Sequence, residues 1–405
     1  MTMINRRELL HALGYSAIGG CTALHGLGFA AESNHTLVIV FLRGGADSLH
    51  MAAPIDDVHY ISARPPELRI LDAGKTPGIL LPKAFAPQQD CRLHPAAAPL
   101  LDLFQSQRAQ LLHACGLANA TRSHFVAQEI IESALPHASH STTAAAAGWL
   151  SEVTAPSIAG QPVLSHLGTS AAQIRSLQGI ASAIHVPGEL RNNLNLPGDA
   201  AGKLVLEALY ASTSSPGPPD MTRRVGQDTL KQLALIDAKL PRTDGKVTPY
   251  VPPKGVSYNT ENQDWLHAMQ TVAQLIRMDI GLQVACVDLG GWDTHEYQPG
   301  RLNNLVRQWS SNLRALIDDM QSAGKHLSVL TVSEFGRRLR SNASQGTDHG
   351  HAGAVWLLDT RARSLLPETQ WPGLATQVLD QGLDLAHTHE VKQVLRQVAL
   401  QSLKI

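Results

Sequence analysis

Five short apolar runs, separated by stretches of helical periodicity, constrain the fold of this chain more than any other feature. They are HTLVIVFLRGGADS (35–48), AQLLHAC (109–115), LQVACVDL (282–289), HLSVLTV (326–332) and AVWLL (354–358). A run of this kind, nearly continuous in apolar residues and followed by turn residues, suits a strand buried on both faces. Helical spacing recurs between the runs, at 97–106, 122–134, 202–212, 221–240, 261–280 and 300–324. In the last, Leu302, Leu305, Val306, Trp309, Leu313 and Leu316 form one stripe. Strands alternating with helices predict an α/β fold, a mostly parallel central sheet with helices on both faces.

The 405 residues suit one large α/β domain or two ordinary ones. The stretch 155–260 is less regular. Its Pro-rich segments STSSPGPPD (212–220) and YVPPKGVSYN (250–259) bracket a helix. We read it as an irregular helical insertion or lid on a single domain spanning 31–405. Residues 1–30 read as a twin-arginine export signal. Arg6-Arg7 opens it, a Gly- and Ala-rich apolar stretch follows, and Gly28-Phe29-Ala30 offers small residues for cleavage. The mature chain is then periplasmic or exported, with the twin-arginine translocase as its partner during export. Cys21, after Ile18-Gly19-Gly20, leaves lipoprotein anchoring as the alternative.

Cys91, Cys115 and Cys286 remain after the signal, an odd count at scattered spacing that makes no disulfide framework. Cys115 and Cys286 lie in apolar runs and read as small core residues. Lys plus Arg number 33 against 34 Asp plus Glu, so no global field points to nucleic acid or an anionic membrane. Histidine, at 19, is the unusual count, and it raises a metal site without locating one.

The location comes from the strand ends, where ligands bind in open α/β sheets. The first strand runs into RGGADS, with Asp47. The run at 282–289 leads into GGWDTHE, with Asp293 and His295. The run at 326–332 leads into SEFGRR, with Glu334, and then GTDHGHAG, with Asp348, His349 and His351. The run at 109–115 leads into GLANATRSHF, presenting Thr121, Arg122, Ser123 and His124. Each motif alone is weak: Asp293 can cap a helix, and Asp348 can bond its own turn. Together they deliver carboxylates and imidazoles to one sheet edge, a mixture that suits zinc or manganese, as one ion or two. Carboxylates crowded in one cleft raise one another's pKa, so a cation is their natural partner. The expected metal ligands are Asp47, Asp293, His295, Asp348 and His349; Glu334 and His351 either ligate or orient a ligand. The chain has no GxGxxG, Walker or GxSxG pattern to support a nucleotide-binding or lipase-type reading.

These segments carry a resemblance. VIVFLRGGADSLHMAAP, RLHPAAAPL, RSHFVAQEI, GGWDTHEYQ and TVSEFGRRLRSNASQGTDHGHAG, behind a paired-arginine signal, look like the bacterial family called domain of unknown function 1501, in order from about 36 to 400. That family is grouped with the alkaline phosphatase–sulfatase superfamily. The resemblance implies an alkaline phosphatase-like sheet with one or two divalent metals at its strand ends. It also implies a hydroxyl or formylglycine nucleophile for phosphate or sulfate esters. Asp47 matches the superfamily's first-strand aspartate, Asp348-His349 its Asp-His pair, and Asp293 with His295 resembles the other Asp/His set. The chain departs in the close spacing of DTH and in lacking a Cys or Ser in a C/S-x-P-x-R context, so formylglycine chemistry is not supported. HTHEVKQVL stands where the family would carry a Thr-Asp-Tyr-Arg-like segment; the Asp is absent, and His387, His389 or Glu390 either substitutes for it or has no such role.

The resulting expectation is metal-assisted hydrolysis of a small-molecule or polymer-borne phosphate or sulfate ester. Ser123 and Thr121 are the candidate nucleophiles, with Ser48 behind them. Arg122 or Arg337 would neutralise the ester oxygens. The alternative is an exported, non-catalytic binding or assembly protein that retains the enzyme-like fold.

Overall fold

In the computed structural model, strand β1 (His35–Leu42) is buried along its whole length. Its side chains alternate between two cores, as strand geometry requires. Val38, Val40 and Leu42 pack with Met269, Val272, Leu302, Val306, Trp309 and Leu313 on one face. Leu37, Ile39 and Phe41 pack with Ile131, Leu150, Val394, Leu395 and Val398 on the other. The first set of helices is Gln263–Arg277 and Gln298–Ser322; the second is His124–Glu132, Leu150–Val153 and Val391–Leu403. Helices therefore cover both faces of the sheet.

The structure describes residues 35–74, 77–82, 90–134, 147–154, 164–170, 172–193, 199–211 and 221–403. The expected export signal, Cys21 and the 212–220 connection lie outside them. The strands after β1 are β2 (Ala52–Pro54), β3 (Ile79–Leu80), β4 (Cys91–Leu93), β5 (Ala109–Gly116), β6 (His166–Gly168), β7 (Ala183–His185), β8 (Arg242–Thr243), β9 (Lys246–Val247), β10 (Val284–Leu289), β11 (His326–Ser333), β12 (Gly353–Asp359) and β13 (His389–Glu390). Eight of them form the main sheet, in the order β13-β5-β12-β11-β1-β10-β6-β7. β2, β4 and β3 make a small antiparallel sheet, and β8 pairs with β9.

All neighbours in the main sheet are parallel except at β12, which runs against both β11 and β5. The apolar run AVWLL thus belongs to the sheet but points the other way. This places the chain between β11 and β12, residues 334–352, wholly at the edge where β1, β5 and β10 also end. The region 155–260, expected as an insertion or lid, contributes β6 and β7 to the sheet itself. Three-residue strands such as HLG and AIH are too short to show a period.

The apolar stripe of helix Gln298–Ser322 is realised: Leu302, Val306, Trp309, Leu313 and Leu316 are fully buried, with Leu305 packed beside them. Cys91, Cys115 and Cys286 are buried free thiols. Among the described residues no helix is long and apolar enough to cross a membrane.

Candidate metal centre

At the end of β1 the chain turns through Gly44, whose φ is +123°. A Cβ on Gly44 would stand 2.4 Å from the amide nitrogen of Asp293, so only glycine lets the loop after β1 touch the loop after β10. Arg337 locks the same junction. Its fully buried guanidinium donates to the carbonyls of Gly44, Gly45 (2.6 Å), Trp292 (3.1 Å) and Thr347 (2.7 Å), and to Asp293 Oδ1 (2.5 Å). Fully buried and bonded at each of its three nitrogens, Arg337 builds the site and is shut off from an ester. Gly350 also sits where a Cβ would meet backbone, 2.5 Å from the carbonyl carbon of Arg337.

Asp293 is the focus of the cluster. His295 Nε2 lies 3.0 Å from its Oδ1, His349 Nε2 3.1 Å from the same oxygen, and His124 Nε2 3.4 Å from Oδ2. Ligand atoms of His124, Asp293 and His349 all lie within 4.8 Å of one another. His295 adjoins this set, with its Nε2 only 3.0 Å from His349 Nε2.

The outer nitrogen of each ring explains the geometry. His124 Nδ1 is 2.8 Å from Glu334 Oε1, His295 Nδ1 is 3.2 Å from Asp348 Oδ1, and His349 Nδ1 is 2.7 Å from the Arg122 carbonyl. A carbonyl or an ionised carboxylate only accepts, so a proton on Nδ1 satisfies each of these contacts, and a ring that holds only that proton turns a lone pair inward at Nε2. Four acceptor groups then face one another. His124 Nε2 is buried with no hydrogen-bond partner. Such an arrangement is unfavourable without a cation or shared protons, and it is how metal-bound histidines are oriented. The residues present therefore fit a divalent ion.

The carboxylates around the centre are held in the ionised form. Burial pushes the Asp293 carboxyl up, but the hydrogen bond and charge of Arg337, the strongest of the opposing influences, help to bring it down to about 2. Burial likewise opposes ionisation of Glu334, yet its bonds from His124, Gln128 and the Gly44 amide hold it below the ordinary value. Asp348 is lowered, first by Asn342. His124 is raised by its bond to Glu334, and His349 is lowered by burial. Phe335, itself buried, floors the site, with ring centroids 4.9 Å from His124 and 4.8 Å from His349.

The expected ligands thus separate into groups. Asp293, His295 and His349 come together. Glu334 and Asp348 lie one layer out, each holding the Nδ1 of a histidine. For Glu334 this is one of the two roles anticipated; Asp348, expected as a direct ligand, meets His295 and Asn342 through Oδ1. Asp47, also expected as a ligand, is fully buried in an ion pair with Arg64, at 2.6 and 2.9 Å. His351 points elsewhere, bonding the Leu117 carbonyl at 2.7 Å and stacking near His387.

Ser123 caps the helix that starts at His124, and its exposed hydroxyl accepts from the Val126 amide; Thr121 Oγ1 accepts from the Ser123 amide at 3.3 Å. Both hydroxyls lie in the chain segment that delivers His124. The Arg122 guanidinium is taken by Asp380 and Asp384, so it acts at the centre through its carbonyl. His124 is one of the donors that the sequence places at the end of β5, outside the expected ligand set. The same convergence that selected Asp293 would have found it.

Residues 252–361 match a family described as protein of unknown function (DUF1501). The match covers Asp293, His295, Glu334, Asp348 and His349; the motifs at 36–124 lie outside it. A search of curated proteins finds no match. Among solved structures, the alkaline phosphatase from the Antarctic bacterium TAB5 is similar at 10% identity, over 91% of this chain and 98% of that one, with a TM-score of 0.37. A histidine-to-glutamate variant of that enzyme with Mg bound in its M3 site aligns at 10% identity, over 91% and 97% of the two chains, with a TM-score of 0.32.

Proposed function

We propose that this chain is a metal-dependent hydrolase of phosphate or sulfate esters, whose ion is held by His124, Asp293 and His349 with His295 beside them. The observation that carries the reading is the convergence of three imidazole Nε2 atoms on the Asp293 carboxylate, each ring fixed from behind at Nδ1 by an oxygen. A divalent ion there would supply Lewis acidity toward an ester oxygen. Glu334, Asp348 and the Arg122 carbonyl keep the rings in the tautomer that can ligate. Arg337 keeps Asp293 ionised without competing for substrate. The Asp293 and His295 side chains remain 46% and 41% exposed, which leaves one side of the centre open to an ester. Ser123 offers an exposed hydroxyl one residue before His124. Export through Arg6-Arg7, and a small-molecule or polymer-borne ester as the substrate, belong to the same proposal.

Carboxylate with imidazole favours zinc or manganese over a hard-oxygen ion. Protein reconstituted with Zn²⁺ or Mn²⁺ should hydrolyse p-nitrophenyl phosphate or p-nitrophenyl sulfate, lose that activity to EDTA, and regain it on adding the metal back. Asp293→Ala should not regain it. Metal bound at full stoichiometry without turnover of any ester would favour the non-catalytic binding reading.

A further inference from the structure

Behind the metal centre lies a hydrogen-bond chain that no ligand role requires. Arg64 grips both oxygens of Asp47. Gln298 Nε2 donates to Asp47 Oδ2 at 2.6 Å. The Gln298 Oε1 then accepts two hydroxyls, Thr294 Oγ1 at 3.0 Å and Thr347 Oγ1 at 2.6 Å. All five residues are at most 1% exposed. Thr294 stands between Asp293 and His295, and Thr347 immediately precedes Asp348 and His349. The amide of Thr347 also donates to the Thr294 carbonyl, and Asn342 bonds the His295 carbonyl at 2.8 Å.

The orientation of Gln298 is determined. Asp47 is held below the ordinary carboxylate range, because Arg64 and the Gln298 amide outweigh the burial that opposes ionisation. An ionised Asp47 only accepts, so the Gln298 nitrogen must face it and the oxygen must face the two threonines. A single amide oxygen therefore receives one hydroxyl from each of the two ligand-bearing loops.

We propose that Gln298 is a positioning residue that sets the spacing between Asp293 and His349, with Asp47 as its anchor instead of a metal ligand. The proposal rests on the metal reading above. The aspartate after the first strand is held in an ion pair with Arg64, and Gln298, Thr294 and Thr347 connect it to the two loops of the centre.

The test uses Thr347, whose hydroxyl can be removed with little change of shape. Thr347→Val and Thr347→Ser would be compared with the wild type for Co²⁺ affinity, the visible d–d spectrum and the melting temperature. Orienting groups around metal ligands typically govern about 10–100-fold in affinity. We expect Thr347→Val to stay folded, to bind Co²⁺ more weakly by that order and to shift the d–d bands, while Thr347→Ser restores both. A Val variant equal to wild type in affinity and spectrum overturns the proposal. If Val at 347 prevents folding, Thr294→Val against Thr294→Ser makes the same comparison on the other loop. A wild type that binds no Co²⁺ would remove the metal reading alone. Positioning would then be read from the imidazole ¹H–¹⁵N correlations of His349, which Thr347→Val must shift and Thr347→Ser must leave in place; unshifted correlations overturn it.

Discussion

Asp47→Asn lowers the stability of the folded chain by about 3–5 kcal/mol at pH 7, the usual cost of removing one partner from a buried ion pair. The pair is shielded from water on both sides, and the substitution leaves the Arg64 charge without a counter-charge. Because the pair is buried, moderate salt should change the difference little. Its pH dependence has a definite sign. The folded-state pKa of Asp47 lies below its unfolded value, near 3.9. Its contribution is thus fully present above about pH 4 and is lost as the pH falls through the depressed folded value. Urea unfolding of both proteins from pH 7 down to pH 3 should show the gap narrowing only at the acid end. Equal midpoints at pH 7 would mean that Asp47 and Arg64 are not paired as described. A partial return of stability in Asp47→Asn with Arg64→Met would confirm that the unpaired guanidinium causes the loss.

Metal affinity should fall in two distinct steps across the centre. His124→Ala, Asp293→Ala and His349→Ala each remove a ligand atom, and calorimetric titration with Zn²⁺ should show binding at this site lost. Glu334→Gln and Asp348→Asn remove only the groups behind the rings, and should weaken binding by about 10–100-fold. The geometry fixes this order, because Glu334 meets His124 at Nδ1 and Asp348 meets His295 at Nδ1. Asp348→Asn as damaging as His349→Ala would return Asp348 to the ligand set.

What the sequence reveals and what it conceals follow from the range of the interactions involved. β1 and the helix Gln298–Ser322 are legible because their apolar spacing is local and long. The direction of β12 is not, since AVWLL reads the same in a parallel or an antiparallel strand. β6 and β7 are too short to have a pattern. The gathering of Asp293, His295, Glu334, Asp348 and His349 at one edge is legible from where the strand runs stop. Their division into ligands and orienting groups is not, because it depends on which ring nitrogen meets which oxygen across the fold. Asp47 shows this most clearly. Its neighbours in RGGADS give no hint that Arg64 will claim it, and Gln298 is 251 residues away. His351, one glycine beyond His349, is drawn off by the Leu117 carbonyl.

If His124, Asp293 and His349 hold one divalent ion, anomalous diffraction from crystals of the protein loaded with Zn²⁺ should show a peak about 2.0–2.2 Å from His124 Nε2, His349 Nε2 and an Asp293 carboxylate oxygen, with His295 Nε2 the next nearest side-chain nitrogen and Asp47 still paired with Arg64. A peak bound by Asp47, or no peak among these residues at full zinc occupancy elsewhere, would contradict that assignment.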